Sequence, residues 1–289
     1  MEAPVIHNDE VPVTGAGRVR VSRNTPREPE VSPELAKELG GSGAPVRWER
    51  LTAPEAAEVV GARDAAIIPV GATEQHGQHM AMCVDTTVAN HVALGVSALT
   101  GVPVVPPLCY GVSGSHGSFP GTIALRPETM IMLVEDVVDS LYASGIRQFI
   151  LLNGHTWNSG SLDVSAEKLR TRYDDVRVRY LAYVTMYPGS EVDGRVTYGR
   201  ALMHANFFET SLMLHIDPDA VHMDRVVSLT DTDSFWDYRT DQVSRSGVWG
   251  REIDQATAAH GAAEAARCIE TTARAVAAAV AEPWPEPRG

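Results

Sequence analysis

The chain has 289 residues, a formal net charge of −13, 44% hydrophobic residues and 21% charged residues. This composition is typical of a globular protein, and the acidic balance, with Lys37 and Lys168 as the only lysines, argues against nucleic-acid binding. No run approaches the ~18 to 20 apolar residues of a membrane span. The first residues lack a signal-peptide pattern, and the three cysteines are widely spaced, which fits reduced thiols. We therefore expect a cytoplasmic protein that binds neither membrane nor nucleic acid.

The first part of the chain differs in composition from the rest. Residues 1–44 are rich in Pro, Gly, Glu and Val and lack periodicity, apart from the short segment SPELAKEL. They are predicted to form an N-terminal extension that is either partly disordered or wrapped around another subunit. Residues 45–289 are predicted to form a single domain.

From Thr52 onward, helical patterns alternate with short apolar runs. The predicted helices are TAPEAAEVVGA from Thr52, TTVANHVALGVSAL from Thr86, RPETMIMLVEDVVDSLYASG from Arg126, SGSLDVSAEKLRTRY from Ser159, and an Ala-rich helix from Ile253 to Val280. The predicted strands are AAIIPVGA from Ala65, VPVVPPL from Val102, RQFILLNG from Arg147 and VRVRYLAYVTM from Val176. This alternation predicts an α/β layer fold with a largely parallel sheet, in which ligands bind at the carboxyl ends of the strands.

A cluster of potential metal ligands follows the first predicted strand. Glu74, His76, His79 and Asp85 lie within twelve positions of one another. Carboxylate and imidazole groups in this mixture suit Zn²⁺, Mn²⁺ or Fe²⁺. The alternative is an exposed polar loop, but two histidines and two acids between two buried segments favour a metal site.

Two further segments carry potential ligands. His155 follows the strand RQFILLNG, at what would be a second strand end. On one continuous helix, His204 and Glu209 would point about 140° apart, so they share a site only if His204 lies at or before the helix N-terminus. Glu209 stands in an apolar helical segment, where a carboxylate is expected to be exposed, paired or metal-bound.

The segment YGVSGSHGSFPGTIAL is rich in Gly and Ser and is typical of a loop over a pocket. Its His116 is a candidate for contact with a substrate. The alternative is a polar turn residue without a binding role.

These residues form motifs that resemble those of the creatininase (creatinine amidohydrolase) family. Five stretches match in family order between about Val46 and Ala281. They are GATEQHGQHMAMCVD ending at Asp85, Phe119-Pro120-Gly121-Thr122, the Asn-Gly-His-x-x-Asn stretch from Asn153, the His-Ala-x-x-x-Glu-Thr-Ser stretch from His204, and Gly-Val-x-Gly from Gly247.

The resemblance implies a three-layer α/β/α sandwich with a mostly parallel central sheet, commonly assembled as a hexamer. It also implies a hydrolase with two divalent metal ions per subunit, Zn, Mn or Fe. Matched residue by residue, the metal ligands are Glu74, His76, Asp85 in the bridging position, His155 and Glu209. The expected catalytic group comprises His204, suited to proton transfer, together with Glu209. The residues assigned to substrate binding are His79, Ser115, His116 and Trp157.

The sequence departs from creatininase at two acidic positions. Creatininase carries a glutamate ligand two residues after the Asn-Gly-His histidine, where this chain has Trp157, and another just before His-Ala, where it has Met203. Both changes argue against creatinine as the substrate. An indole cannot ligate a metal, so Trp157 is predicted to form a flat wall for a planar or cyclic substrate, or else to pack in the core.

We expect a metal-dependent hydrolase in which a water activated by two metal ions cleaves an amide-type C–N bond of a small, polar, cyclic substrate. Two alternatives stay open. One is a ring-opening C–C or formamide hydrolase of a biosynthetic or catabolic pathway. The other is a non-catalytic metal-binding paralogue.

Overall fold

The computed structural model describes residues 25–182, 204–227, 238–250 and 252–285, with the backbone of four short segments. The strands are β1 (Glu10–Val13), β2 (Gly17–Arg20), β3 (Ala65–Val70), β4 (Gln148–Asn153), β5 (Arg177–Ala182), β6 (Glu191–Val192) and β7 (Arg195–Val196). The helices are α1 (Pro33–Leu39), α2 (Ala53–Ala62), α3 (Val84–Thr100), α4 (Pro127–Ala143), α5 (Ser159–Arg172), α6 (Phe207–Ile216), α7 (Thr240–Val243) and α8 (Ala258–Ala281).

The central sheet contains β3, β4 and β5 in that order, all parallel. Its register places Val70 opposite Asn153, and Asn153 opposite Ala182, so the three strands end at the same edge. The other strands form two antiparallel pairs, β1 with β2 and β6 with β7.

Both faces of this sheet are covered by helices. Ile67 and Leu152 belong to a core that includes α3, α6 and α8. Their strand neighbours Ile68 and Leu151 point the other way, into a second core built with α4 and α5. Burial on both faces explains why β3 and β4 are continuous apolar runs. The predicted three-layer α/β/α sandwich is confirmed.

One predicted strand is interrupted. The segment VPVVPPL pairs with β3 in parallel through isolated bridges at Val104 and Leu108, and Val104 also bridges Arg47 on its other side. Pro103, Pro106 and Pro107 lack the N–H that a continuous ladder requires.

Two predicted helix boundaries also differ. Helix α3 begins at Val84 rather than Thr86, which places Asp85 in its first turn. A carboxylate is favourable there because the first turn exposes unpaired N–H groups. Helix α8 begins at Ala258 rather than Ile253, because Thr257 adopts an extended backbone and its side chain caps the helix.

Residues 25–44 lie against the domain. The backbone N–H of Arg27 donates to the carbonyl of Ile216 at 2.7 Å, and His91 donates to the carbonyl of Arg27 at 3.0 Å. Ala36 of α1 is part of the core beside α3. The domain boundary at residue 44 and the wrapping of a second subunit stay predictions.

The three cysteines, Cys83, Cys109 and Cys268, are free, as the sequence predicted. Among the described residues, the structure contains no helix that is both long enough and apolar enough to cross a membrane.

Candidate metal centre

The predicted ligands converge at the carboxyl edge of the sheet. Glu74 and His76 lie in the loop after β3, Asp85 in the first turn of α3, and His155 directly after β4. Glu209 is the third residue of α6. The first four side chains are almost completely buried and Glu209 is partly buried.

Two glycines allow the loops after the strands to approach α3. A Cβ on Gly71 would lie 2.4 Å from the Cα of Thr86, and a Cβ on Gly154 would lie 2.4 Å from the carbonyl oxygen of Asp85. Neither distance is compatible with a side chain. The glycine of Asn-Gly-His is therefore required to bring His155 next to Asp85.

Asp85 lies between two histidines. Its Oδ1 is 3.3 Å from His76 Nε2, and its Oδ2 is 3.2 Å from His155 Nδ1. On the other side of the His155 ring, Nε2 is 3.2 Å from Glu74 Oε2. The two oxygens of Asp85 thus face two different potential ligands.

Among the residues that the structure describes, the donor atoms fall into three overlapping groups, each with all its atoms within 4.8 Å of one another. The groups are Glu74–Asp85–His155, His76–Asp85–Glu209 and Glu74–His76–His204. Asp85 is common to the first two groups, and Glu74 to the first and third.

The donor atoms fit a divalent metal ion. Both carboxylate oxygens of Glu74, Asp85 Oδ2 and His76 Nε2 are buried and make no hydrogen bond among the described residues. Buried charged oxygens are costly unless they are paired or bound to a metal. Carboxylate oxygens with imidazole nitrogens are also the ligand set that transition metals such as zinc prefer.

The close packing of buried carboxylates and imidazoles also shifts the pKa values of the metal-free cluster. Burial raises the pKa of Glu74 to about 7 and that of Glu209 to about 7. Burial opposes protonation of His76 and His155, but the Asp85 carboxylate beside His76 and the Glu74 and Asp85 carboxylates beside His155 outweigh it. The pKa rises to about 10 for His76 and about 9 for His155. Protons therefore balance the carboxylates where a cation is absent.

The start of α6 brings His204 and Glu209 into one site. Asn206 caps the helix by accepting from the N–H of Glu209 at 2.9 Å. His204 precedes this cap by two residues, which is the condition that the sequence set for a shared site. Ala205 between them has a φ of 53°, a left-handed conformation that is rare outside glycine and that turns the chain there.

His204 contacts the loop after β3. Its Nε2 lies 2.7 Å from the backbone carbonyl oxygen of Gln75, and its Nδ1 lies 3.4 Å from Glu74 Oε1. Its ring also lies 4.3 Å from that of His76, centroid to centroid. Burial holds the pKa of His204 well below its usual range, so the ring is neutral at pH 7.

The residues assigned to substrate binding have different surroundings. His116 is buried, with Nε2 at 3.3 Å from Glu74 Oε1, and burial lowers its pKa to about 3. His79 is also buried, with Nε2 at 3.1 Å from Thr210 Oγ1, outside the three donor groups. Ser115 is partly buried, and Trp157 is partly buried in a short turn directly after His155.

Sequence reasoning missed several polar residues around the site. Asn153 holds the backbone of His155, accepting from its N–H at 3.0 Å and donating to its carbonyl at 2.7 Å. Ser113 Oγ lies 3.4 Å from His155 Nε2. Gln75 and Asn153 flank ligands within the motifs, which is a usable signal. Thr240 Oγ1 lies 3.2 Å from His116 Nδ1. Ser113 and Thr240 carry no comparable signal.

Comparison with known proteins gives consistent matches. The sequence profile of the family described as "Creatininase: Creatinine amidohydrolase" matches residues 49–276. The creatinine amidohydrolase of Pseudomonas putida is 37% identical over 175 residues, which cover 56% of this chain and 67% of that protein. The mycofactocin precursor peptide peptidase of Mycolicibacterium smegmatis is 34% identical over 167 residues, covering 56% of this chain and 61% of the peptidase.

Solved creatininase structures share the fold. A mutant creatininase of Zn-Zn type superposes with a TM-score of 0.69 at 30% identity, covering 80% of this chain and 97% of that one. A manganese form gives 0.66 at the same identity and coverage.

The layered fold, the buried carboxylate–histidine cluster at the sheet edge and these matches together identify a hydrolase with a candidate metal-binding site. The family profile covers most of the chain, including all the candidate metal ligands. The chain belongs to the creatininase family and is an amidohydrolase of that family. Relatives that are enzymes support the enzymatic prediction over the non-catalytic paralogue.

Proposed function

We propose that this enzyme uses two divalent metal ions per subunit to hydrolyse an amide-type C–N bond of a small, polar, cyclic substrate. One observation carries the proposal. The two oxygens of Asp85 face different donor groups, one with Glu74 and His155, the other with His76 and Glu209. A carboxylate in that position suits a bridge between two ions.

Zn²⁺, Mn²⁺ and Fe²⁺ all suit these donors. Divalent ions held there would act as Lewis acids toward the substrate carbonyl and lower the pKa of water toward ~7. The chain itself supplies five ligands, a dry environment around them and a proton carrier.

His204 is the proposed proton carrier. Because the Gln75 carbonyl oxygen can only accept, the 2.7 Å contact requires a proton on His204 Nε2. The neutral ring then presents an unprotonated Nδ1 toward Glu74. His204 would therefore first accept a proton from the attacking water and then donate it to the leaving nitrogen. The sequence-based role of general acid is thereby extended to a base that becomes an acid.

The substrate class rests on Trp157 and on the relatives. The names of the Pseudomonas putida and Mycolicibacterium smegmatis relatives both denote hydrolysis of C–N bonds, which supports an amide-type bond. Trp157 offers an apolar ring where creatininase has a glutamate, which favours a planar or cyclic substrate and disfavours creatinine. Met203, the second departure, lies outside the described residues.

The test is a substrate panel on metal-loaded protein. Purified enzyme would be reconstituted with Zn²⁺ or Mn²⁺ and assayed on cyclic amides, linear amides including formamides, short peptides, cyclic ketones and creatinine. We expect chelator-sensitive hydrolysis of cyclic amides and poor turnover of creatinine. Activity confined to cyclic ketones would establish the C–C alternative, and efficient creatinine hydrolysis would contradict the interpretation of Trp157.

Assembly is a separate proposal. The homohexamer implied by the family resemblance predicts a mass about six times the 31.1 kDa of one chain. Light scattering coupled to size-exclusion chromatography measures it directly.

A further inference from the structure

The side-chain amide of Gln75 is completely enclosed by polar partners. Its Oε1 accepts from the N–H of Gly77 at 2.9 Å. Its Nε2 lies 3.0 Å from the carbonyl oxygen of Gly247, 2.8 Å from His116 Nδ1 and 2.9 Å from His204 Nε2. An N–H donor beside Oε1 and a carbonyl beside Nε2 fix which way the amide points.

The amide nitrogen has two protons and three neighbours, so one neighbour receives none. The carbonyl of Gly247 can only accept and takes one proton. His204 Nε2 already donates to the Gln75 backbone carbonyl at 2.7 Å, so it cannot accept. The second proton therefore goes to His116 Nδ1.

This assignment determines the tautomer of His116. If Nδ1 accepts, the proton of the neutral ring is on Nε2, and that atom lies 3.3 Å from Glu74 Oε1. Thr240 Oγ1 lies 3.2 Å from Nδ1 and 3.4 Å from Nε2, nearly equidistant from both. An atom in that position is not in line with either nitrogen and does not compete for the Nε2 proton.

We infer that Gln75 and His116 are positioning residues for the metal centre: the Gln75 amide fixes the tautomer of His116, so that its protonated Nε2 lies 3.3 Å from Glu74 Oε1 and orients that carboxylate by charge–dipole attraction rather than by a hydrogen bond. The inference rests on the proposed function in one respect, that Glu74 binds metal. It assigns His116 a role different from the substrate contact expected from the sequence.

The Gly-Val-x-Gly motif supports the inference. Gly247 has a φ of 77°, and a Cβ there would lie 2.1 Å from Gln75 Oε1. A side chain at position 247 would therefore displace the amide. The Gly-Val-x-Gly motif contains no candidate metal ligand, and the space that the Gln75 side chain needs explains why its first residue, Gly247, is a glycine.

The experiment measures metal affinity and tautomer rather than activity. Zn²⁺ affinity is determined by competition with a chromophoric chelator for the wild type, His116→Leu, Gln75→Met and the double variant. Partners that orient metal ligands typically contribute ~10 to 100-fold in affinity, so each single variant should lose about that much. Because Gln75 acts through His116, the double variant should lose no more Zn²⁺ affinity than the single variant that binds Zn²⁺ less tightly. His116→Gln, which keeps an N–H at similar reach, should recover most of the affinity.

Three results would overturn the inference. The first is an unchanged Zn²⁺ affinity in His116→Leu with only KM raised. The second is a loss of Zn²⁺ affinity in the double variant that equals the sum of the two single losses. The third is a set of ¹⁵N-histidine spectra that show His116 protonated at Nδ1 in the metal-free wild type. The spectra need no variant and so do not depend on variant folding. Glu74→Gln separates the two proposals: wild-type affinity in that variant refutes the metal centre, whereas loss there with none in His116→Leu refutes the positioning role alone.

Discussion

Asp85 offers the sharpest test of a two-ion centre, because it is the residue common to both proposed ion sites. Asp85→Asn preserves the size of the side chain but removes its charge and one acceptor oxygen. Each of the two donor groups that contain Asp85 then retains only two strong ligands, Glu74 with His155 and His76 with Glu209. We expect the variant to lose both ions, whereas loss of any ligand specific to one site should spare the other.

The expected size follows from binding linkage. A ligand at 100 times its dissociation constant stabilises the folded state by about 2.7 kcal/mol. Two such ions give about 5 kcal/mol, which corresponds to roughly 10 to 20 °C in melting temperature for a domain of this size. The wild type should show that shift between chelator and Zn²⁺, and Asp85→Asn should show none. Without metal, the variant should also be less stable by up to about 3 to 5 kcal/mol, because His76 and His155 lose their buried partner.

The assay combines elemental analysis with melting curves in chelator and in Zn²⁺. Asp163→Asn is the matched control, since Asp163 is exposed on α5. Two ions per subunit in Asp85→Asn would refute the assignment. One retained ion would show that Asp85 belongs to a single site and does not bridge.

Three further predictions follow from the site. His204→Ala should keep both metals but lose ~10² to 10⁴-fold in rate; metal loss measured by elemental analysis would instead make His204 a ligand, as its group with Glu74 and His76 permits. Trp157→Ala should raise KM with metal content intact, and an unchanged KM would favour a packing role. Gly154→Ala should lower the free energy of unfolding by about 1 to 3 kcal/mol in chemical denaturation, because its Cβ would overlap the Asp85 carbonyl. The control Gly160→Ala, on a helix with open space, should instead stabilise by about 0.4 to 1 kcal/mol, and equal effects would refute the steric argument.

The sequence predicted the layers because the apolar pattern and the packing coincide. Strands β3 and β4 are buried on both faces and read as unbroken apolar runs. The segment VPVVPPL is an exception, because its apolar composition predicts a continuous strand but three prolines interrupt the ladder with β3. The predicted start of α3 is too late because Asp85 lies outside the apolar period of the helix, although the carboxylate is favourable at that end.

The candidate ligands were predictable because they directly follow strands or begin helices. Their supporting residues were not, since these come from distant parts of the chain. Gln75 contacts His116, 41 positions away, and Gly247, 172 positions away. Only the fold shows that the side-chain amide of Gln75, in one motif, fills the space left by Gly247, in another motif.

The last prediction concerns pH, where the metal-free and metal-loaded enzymes should behave in opposite ways. In the metal-free protein the pKa is raised to about 7 for Glu74 and Glu209, about 9 for His155 and about 10 for His76. Above about pH 6.5 the acids and histidines of the unfolded chain are largely deprotonated, so the folded cluster binds more protons and the metal-free protein should lose stability as pH rises from about 7 to 10. Below that window the lowered pKa values of His116 and His204 act in the opposite direction.

Metal binding requires these groups to be deprotonated, so the stabilisation by metal should grow over the same window. Melting temperatures in chelator should fall from about pH 7 to 9, while the difference between chelator and Zn²⁺ widens. Calorimetry in buffers of different ionisation enthalpy should detect release of about two protons at pH 7.5, from the two histidines, and about one fewer in His155→Gln. Asp85 contributes none, because the adjacent histidines hold its pKa low against its burial and it is already ionised. A stability of the metal-free protein that rises over this pH range would contradict the raised pKa values of the proposed ligands. Zn²⁺ binding without proton release would contradict the ligand set itself, because the ions would then be held by groups that are already deprotonated.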